Sequence, residues 1–141
     1  MTQAVIVDTG PLVAFLNATD RYHAWSKQVF GGIEGSVSTC EAVISEASFL
    51  LRHARGGSHS VMRLVERGLV RLPFRLETES ASVRRLLSRY ANVPMSIADA
   101  CLVRMSEQSP DCVLLTLDRD FRIYRRQGRN VLPTLMPPGL K

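Results

Sequence analysis

Short apolar runs bounded by turn residues alternate along this chain with longer segments in which apolar residues recur at helical spacing. The apolar runs predict β-strands at Ala4–Val7, Ser36–Ser38, Leu69–Leu72, Val113–Leu117 and Asn130–Leu132. The periodic segments predict helices at Pro11–Asn17, Arg21–Phe30, Glu41–Ala54, Ser60–Arg67, Ser80–Tyr90 and Ile97–Glu107. Such alternation predicts an α/β fold, a three-layer α/β/α domain with a central parallel sheet.

The whole chain, residues 1–141, is expected to form this single domain. A chain of 141 residues has room for one core, and neither a repeat nor a linker interrupts the pattern. The tail from Pro133 to Gly139 contains three prolines and is expected to be irregular.

Composition narrows the class of protein without identifying it. Apolar residues make up 45% and charged residues 22%, which is ordinary globular usage and excludes disorder, collagen and coiled coil. No apolar run approaches the ~20 residues of a membrane span. The N-terminal run ends at Asp8, so no signal peptide is visible. We expect a cytoplasmic protein without membrane contact.

Cysteine and histidine usage argues against a disulfide framework and a zinc site. The three cysteines have no C-x-x-C spacing, and the three histidines form no H-E-x-x-H pattern. A metal ion in this protein would therefore be held by oxygen.

The net charge of +5 comes from sixteen arginines and only two lysines. Arginine offers a planar fork that suits phosphate, so a polyanionic partner is one interpretation. An arginine-rich genome that encodes a solvated surface is the other, and charge alone does not decide between them.

Four acidic residues have apolar neighbours that make a charge unexpected. Asp8 and Asp118 each follow a predicted strand directly, and ligands of open α/β sheets bind beyond the carboxyl ends of strands. Glu46 borders the apolar stripe of its helix, and Asp99 is surrounded by apolar residues. Asp120 lies two residues after Asp118.

Three of these acids also have an ordinary structural explanation. Either Asp8 or Thr9 is placed to cap the following helix. Asp99 has capping-box spacing from Ser96, and Asp118 is placed to cap a turn. Glu46 lies too deep in its helix for such a role. Both interpretations remain open at this point.

If the carboxylates converge, their mutual repulsion must be relieved by a proton or a cation. Ligation by oxygen alone, with water retained, suits Mg²⁺ or Mn²⁺. Such ions activate water and stabilise the oxygens of a phosphodiester. One interpretation therefore combines arginines that hold a nucleic-acid backbone with acids that hold metal.

Other chemistries fit the sequence less well. Val7-Asp8-Thr9-Gly10 contains the D-T-G turn of aspartic proteases, but a helical pattern follows it at once and those enzymes are largely β. A phosphoacceptor receiver domain needs a late lysine, and none occurs between Lys27 and Lys141. Glycine-rich phosphate loops and the G-x-S-x-G elbow are absent.

Four ordered blocks of the sequence resemble those of PIN-domain nucleases, and the chain length resembles that of VapC-like toxins of toxin–antitoxin pairs. The blocks are Val5–Ala14, Ser45-Glu46-Ala47, Ile97–Ala100 and Leu115–Phe121. The resemblance implies a three-layer α/β/α fold and an Mg²⁺-dependent endoribonuclease, with Mn²⁺ as the other candidate cofactor. Its hydrolysis of RNA would use water activated by the metal.

Carried over by position, the resemblance assigns metal binding and catalysis to Asp8, Glu46, Asp99 and Asp118. The same resemblance implies that Asp120 would be an auxiliary metal-binding carboxylate. Glu41 lies in the same helix as Glu46 and competes with it, but Glu46 has the more apolar surroundings.

Candidate substrate-binding residues follow from the same blocks. Thr9 and Thr116 occupy places where the family often keeps a small hydroxyl. Arg119 and Arg122 begin an arginine cluster that continues with Arg125, Arg126 and Arg129. The cluster is placed either to bind RNA phosphates or to form a solvated face.

The resemblance further implies a homodimer that a small antitoxin protein neutralises. Two alternatives stay open, namely a PIN nuclease in RNA maturation outside any toxin pair and a non-catalytic binding module whose acids only cap helices.

Overall fold

The computed structural model describes residues 3–140. Seven short strands lie in this range: β1 (Val5–Val7), β2 (Val37–Ser38), β3 (Val70–Arg71), β4 (Val113–Leu115), β5 (Arg125–Arg126), β6 (Asn130–Val131) and β7 (Thr134–Leu135). The helices are α1 (Thr9–Leu16), α2 (His23–Gly31), α3 (Glu41–Leu50), α4 (His59–Glu66), α5 (Leu76–Arg89) and α6 (Ile97–Gln108), with a 3-10 helix at Arg119–Arg122.

Five strands form one parallel sheet in the order β3-β2-β1-β4-β7, and helices flank this sheet. The predicted fold class, a three-layer α/β/α architecture around a parallel sheet, is confirmed. No helix within residues 3–140 combines the length and apolar character that a bilayer-spanning segment requires.

The register of β1 on β4 places the ends of these two strands side by side. Val7 pairs with Leu115, and the backbone N–H of Asp8 donates to the Leu115 carbonyl at 2.9 Å. On the other edge of β1, the Thr39 hydroxyl donates to the Val7 carbonyl at 2.6 Å. The residues that follow β1, β2 and β4 therefore emerge together at the carboxyl edge of the sheet.

The core explains why the central strands read as uninterrupted apolar runs. Val7 and Leu115 are completely buried because helices cover the sheet. Each helix contributes an apolar stripe to this core, as Val43 and Ala47 do on α3 and Leu102 does on α6. Burial on both faces removes the alternation of polar and apolar residues that a half-exposed strand would show.

The C-terminal region differs from the prediction. Asn130 and Val131 form a separate antiparallel hairpin with β5 instead of joining the main sheet. The tail after Pro133, predicted to be irregular, contains β7, which pairs with β4 as an edge strand. The hairpin turns through Gln127 and Gly128, whose φ angles of 54° and 79° suit a tight connection.

Two helix boundaries differ from the prediction by four residues, and the others by at most two. Helix α3 ends at Leu50 rather than Ala54, because the following residues form turns with hydrogen bonds from residue i to i−3, such as Arg52 N–H to Phe49 C=O. Helix α5 begins at Leu76 rather than Ser80, and its first turn contains two acids that favour a helix N-terminus.

A pair of leucine truncations tests the burial pattern. Leu115 is fully buried in β4, whereas Leu135 in β7 is 41% exposed. We expect Leu115→Ala to lower the free energy of unfolding by about 3 kcal/mol because it leaves a cavity. Leu135→Ala should lower the free energy of unfolding by less than about 1 kcal/mol. Urea denaturation measures both, and equal losses would contradict the described core.

Candidate functional site

One open cleft of about 610 Å³ lies beyond the carboxyl ends of β1 and β4. It is bordered by the start of α1, the middle of α3, the start of α6 and the 3-10 helix. All five acids singled out in the sequence line it: Asp8, Glu46, Asp99, Asp118 and Asp120. The structure therefore brings together residues that are up to 112 positions apart, counted from Asp8 to Asp120.

Asp8 is the most buried of these acids, with 7% of its surface exposed. Its Oδ1 accepts from the Thr9 backbone N–H at 2.7 Å and caps α1, while its Oδ2 accepts from the Thr116 hydroxyl at 2.7 Å. The pKa of Asp8 is raised to about 6, chiefly by burial. The hydrogen bonds from Thr116 and Thr9 oppose this rise, and the negative charges of Asp99 and Asp118 add to it.

Asp99 lies in the first turn of α6. Its Oδ2 accepts from the Ser96 backbone N–H at 3.3 Å and from the Tyr124 hydroxyl at 3.2 Å. The Ser96 hydroxyl accepts from the Asp99 backbone N–H, which completes a capping box. Burial first, and then the negative charge of Asp118, raise the pKa of Asp99.

Asp118 and Asp120 lie on the loop that leaves β4. The Asp118 Oδ1 accepts from the Asp120 backbone N–H at 2.9 Å and so caps the 3-10 helix. The Thr116 hydroxyl accepts from the Asp118 backbone N–H at 2.9 Å and donates to Asp8. A single hydroxyl thus connects the strand-end acids of β1 and β4.

Glu46 is exposed, although its place beside the apolar stripe predicted a less solvated setting. Its Oε2 accepts from the Thr9 hydroxyl at 3.2 Å, which draws the side chain to the cleft. Glu41 lines a neighbouring pocket with Cys40 and Arg75 instead. The cleft therefore contains Glu46 rather than its competitor in the same helix.

The capping roles and the shared cleft turn out to be compatible. Asp8, Asp99 and Asp118 all cap helices as the structural interpretation predicts, and the same three residues line one cleft. Each helix start is aimed at the cleft, so a residue that caps it necessarily faces the other acids. The two interpretations were not exclusive.

Both candidate substrate-binding threonines are buried, and of the two only Thr9 lines the cleft. Thr116 is completely buried and Thr9 is 6% exposed. Their hydroxyls bind the carboxylates of Asp8 and Glu46. This placement suits the orientation of acids and leaves little surface for contact with a substrate.

The arginine cluster divides into different roles. Arg119 is exposed and lines the cleft beside the acids. Arg122 is exposed, but its guanidinium donates to the Leu140 carbonyl at 3.3 Å and it does not line the cleft. Arg125 and Arg126 donate to backbone carbonyls, including those of residues 122–124 for Arg125 and residues 106 and 110 for Arg126. These two residues stabilise the local fold rather than present a free cation.

Carboxylate oxygen is the donor type that Mg²⁺ and Mn²⁺ prefer, and the cleft supplies no soft ligand. Within residues 3–140, no three acidic, histidine or cysteine side chains are close enough to enclose a metal ion directly. Mg²⁺ usually retains several waters and binds one or two carboxylates. The residues present therefore fit a hydrated hard cation. Its charge would offset both the burial and the mutual repulsion that raise the pKa values of Asp8 and Asp99.

Tyr124 does not line the cleft but contacts the site through Asp99, and the sequence reasoning missed it. Its phenol is completely buried and contacts Asp99 across 25 positions of sequence. Burial and the Asp99 carboxylate raise the pKa of Tyr124, so the hydroxyl stays a donor at neutral pH. The only local signal is an aromatic residue three positions after Phe121 in an arginine-rich segment.

The raised pKa of Asp8 predicts how stability depends on pH. In the unfolded chain the Asp8 carboxyl has its ordinary pKa of 3.8, whereas in the folded chain its pKa is about 6. The metal-free protein should therefore lose stability as pH rises from about 4 to about 6, by on the order of 2–3 kcal/mol. Asp8→Asn removes this ionisation and should be more stable than the wild type at pH 7.5.

Urea unfolding of both proteins across this pH range, in the presence of a chelator, checks this prediction. Asp111→Asn serves as a control because Asp111 is an exposed carboxyl outside the cleft. Parallel pH curves for wild type and Asp8→Asn would contradict the described burial.

Comparisons with known proteins agree with this architecture. The PIN domain model matches residues 5–127. Among solved structures, the chain is similar to VapC20 of Mycobacterium tuberculosis, which is described as a Sarcin-Ricin loop cleaving toxin, with a TM-score of 0.75 and 22% identity. The alignment covers 92% of this chain and 100% of that chain, and it shows a shared fold. No curated protein sequence matches significantly. By the family match over most of its length, the chain belongs to the PIN-domain family.

Proposed function

We propose that this protein is a metal-dependent endoribonuclease that hydrolyses RNA phosphodiester bonds in the carboxylate cleft. The observation that carries the proposal is the grouping of five acids in one cleft, of which Asp8 is held in a buried position that raises its pKa. PIN domains are typically metal-dependent nucleases, and this chain supplies the oxygen donors that such chemistry requires.

A purely structural role does not account for this grouping. Asparagine or serine would cap α1 as well as Asp8 does, without burying a charge beside other acids. The pKa of Asp8 is raised because the fold keeps that carboxyl in a place where ionisation is unfavourable. Such a cost is typical of functional sites, because cation binding offsets it. The non-catalytic alternative is therefore less well supported.

Asp8, Asp99 and Asp118 would hold Mg²⁺, or Mn²⁺, directly or through water, with Glu46 and Asp120 as further carboxylates. When bound, the ion supplies activation of water for attack on phosphorus and neutralisation of the developing charge. The Thr116 hydroxyl orients Asp8, and the Thr9 hydroxyl orients Glu46. Arg119 lines the same cleft and would bind a substrate phosphate.

The narrower assignment is that of a toxin of a toxin–antitoxin pair, active as a homodimer and neutralised by a small antitoxin. Its support is the likeness to VapC20, which is described as a Sarcin-Ricin loop cleaving toxin, together with the net charge of +5. A PIN nuclease in RNA maturation is the alternative with the same site chemistry.

Cleavage of RNA by wild type and by Asp8→Asn and Asp99→Asn tests the proposed activity. We expect both substitutions to slow cleavage at least ~100-fold in Mg²⁺, because several kcal/mol of transition-state stabilisation depend on the metal site. A chelator should abolish wild-type cleavage, and Mn²⁺ should restore it. Asp111→Asn is the matched control, since it removes one carboxylate outside the cleft.

Cleavage that is indifferent to chelator and to both substitutions would exclude the proposed site. Induced expression in a bacterial host then separates the two biological roles. Growth arrest by wild type but not by Asp8→Asn supports a toxin, whereas undisturbed growth with an active nuclease favours RNA maturation.

Arg119 and Arg122 give a second test, because both are exposed arginines in one 3-10 helix and only Arg119 lines the cleft. With Mg²⁺ replaced by Ca²⁺ to slow cleavage, Arg119→Ala should weaken RNA binding about tenfold and reduce its salt dependence by about one ion. Arg122→Ala should change affinity less than about twofold. Fluorescence anisotropy over a salt series measures both, and equal effects would remove the assignment of Arg119.

A further inference from the structure

Tyr124 connects two segments of the chain that carry acids of the cleft. Its hydroxyl donates to Asp99 Oδ2 at 3.2 Å, and its backbone N–H donates to the Asp120 carbonyl at 3.2 Å. The same residue therefore contacts the start of α6 through its side chain and the loop after β4 through its backbone.

The phenol is held in place by aromatic packing. The Tyr124 ring lies edge-on to Phe121, with centroids 5.2 Å apart, and to Tyr90, with centroids 5.1 Å apart. The Tyr90 hydroxyl accepts from the Arg125 backbone N–H at 2.8 Å, which anchors the next residue of the chain. A fully buried ring with two such neighbours has one position available, so the location of its hydroxyl is determined before any ligand binds.

The hydroxyl distinguishes the two oxygens of Asp99. Oδ2 accepts both from Tyr124 and from the Ser96 backbone N–H, whereas Oδ1 accepts from no group within residues 3–140. Because Asp99 lines the cleft, the oxygen left without a donor is the one available to a cation. The capping box alone leaves the carboxylate free to rotate about its single contact, and the second donor removes that freedom.

We propose that Tyr124 is a positioning residue that holds Asp99 Oδ2 and presents Oδ1 to the divalent ion. The inference rests on the proposed metal site. Its test is chosen so that failure of Tyr124 to act can be distinguished from failure of the site itself.

The experiment measures Mn²⁺ dissociation constants by electron paramagnetic resonance, without RNA. Tyr124→Phe removes the hydroxyl and keeps the ring, and we expect Mn²⁺ binding to weaken about tenfold, as for other partners that orient metal ligands. Tyr90→Phe is the matched control, because it removes a hydroxyl from the adjoining ring that contacts no acid. Its Mn²⁺ affinity should stay within about twofold of wild type.

A double-mutant cycle identifies the route of the effect. If Tyr124 acts through Asp99, Tyr124→Phe should change Mn²⁺ affinity less than about twofold in an Asp99→Asn background. An equal loss in both backgrounds would show a general structural effect and overturn the inference. If Asp99→Asn weakens Mn²⁺ binding and Tyr124→Phe leaves it unchanged, the inference about Tyr124 is overturned and the proposed metal site is not. Absence of Mn²⁺ binding by wild type would overturn the proposed site and this inference together.

A crystal structure of the wild type with Mn²⁺ tests the same inference without any substitution. We expect coordination, direct or through water, from Asp99 Oδ1, with the Tyr124 hydroxyl still on Oδ2. Coordination through Oδ2, or a hydroxyl more than 3.5 Å from Asp99, would overturn the assignment.

Discussion

The parallel pairing of β1 with β4 is the constraint on which the candidate site depends. Since Val7 lies opposite Leu115, the next residue of each strand reaches the same edge of the sheet at the same height. The Thr116 hydroxyl can then donate to Asp8 at 2.7 Å, across a sequence separation of 108 residues. A slip of one residue in this register would place the side chains of Asp8 and Thr116 on opposite faces of the sheet and so separate them. The apolar core that holds the register therefore also holds the acids together.

Much of the fold was predictable because its strongest signals are local. Strands β1 and β4 are buried on both faces, so they appear as uninterrupted apolar runs. Strand β7 could not be found in this way, because Thr134 and Leu135 form a two-residue strand between prolines and have no periodicity of their own. Its strand character comes from hydrogen bonds with β4, in which the Thr116 N–H donates to the Leu135 carbonyl. A contact between distant segments leaves no local pattern.

The candidate site shows the same division between local and distant information. Asp8, Asp99 and Asp118 could be identified from their apolar neighbours and their places at element ends, because those features lie within a few residues. The exposure of Glu46 could not be predicted in this way. A small rotation of α3 decides whether a residue beside its apolar stripe faces solvent. The contact of Tyr124 with Asp99 depends on how the chain after the 3-10 helix returns to α6, and no spacing rule records it.

Net charge proves to be a poor guide to which groups would meet RNA. The sequence contains sixteen arginines, yet Arg125 and Arg126 donate to backbone carbonyls of the C-terminal region and α6. Arg119, in contrast, lies in the cleft with five acids. An arginine in such surroundings is expected to pair with a carboxylate unless other donors already occupy the carboxylate oxygens. Backbone and hydroxyl donors already occupy oxygens of Asp8, Asp99 and Asp118. Such donors orient the acids without neutralising them. The proposed function requires both this negative charge, for a cation, and a free Arg119, for a phosphate.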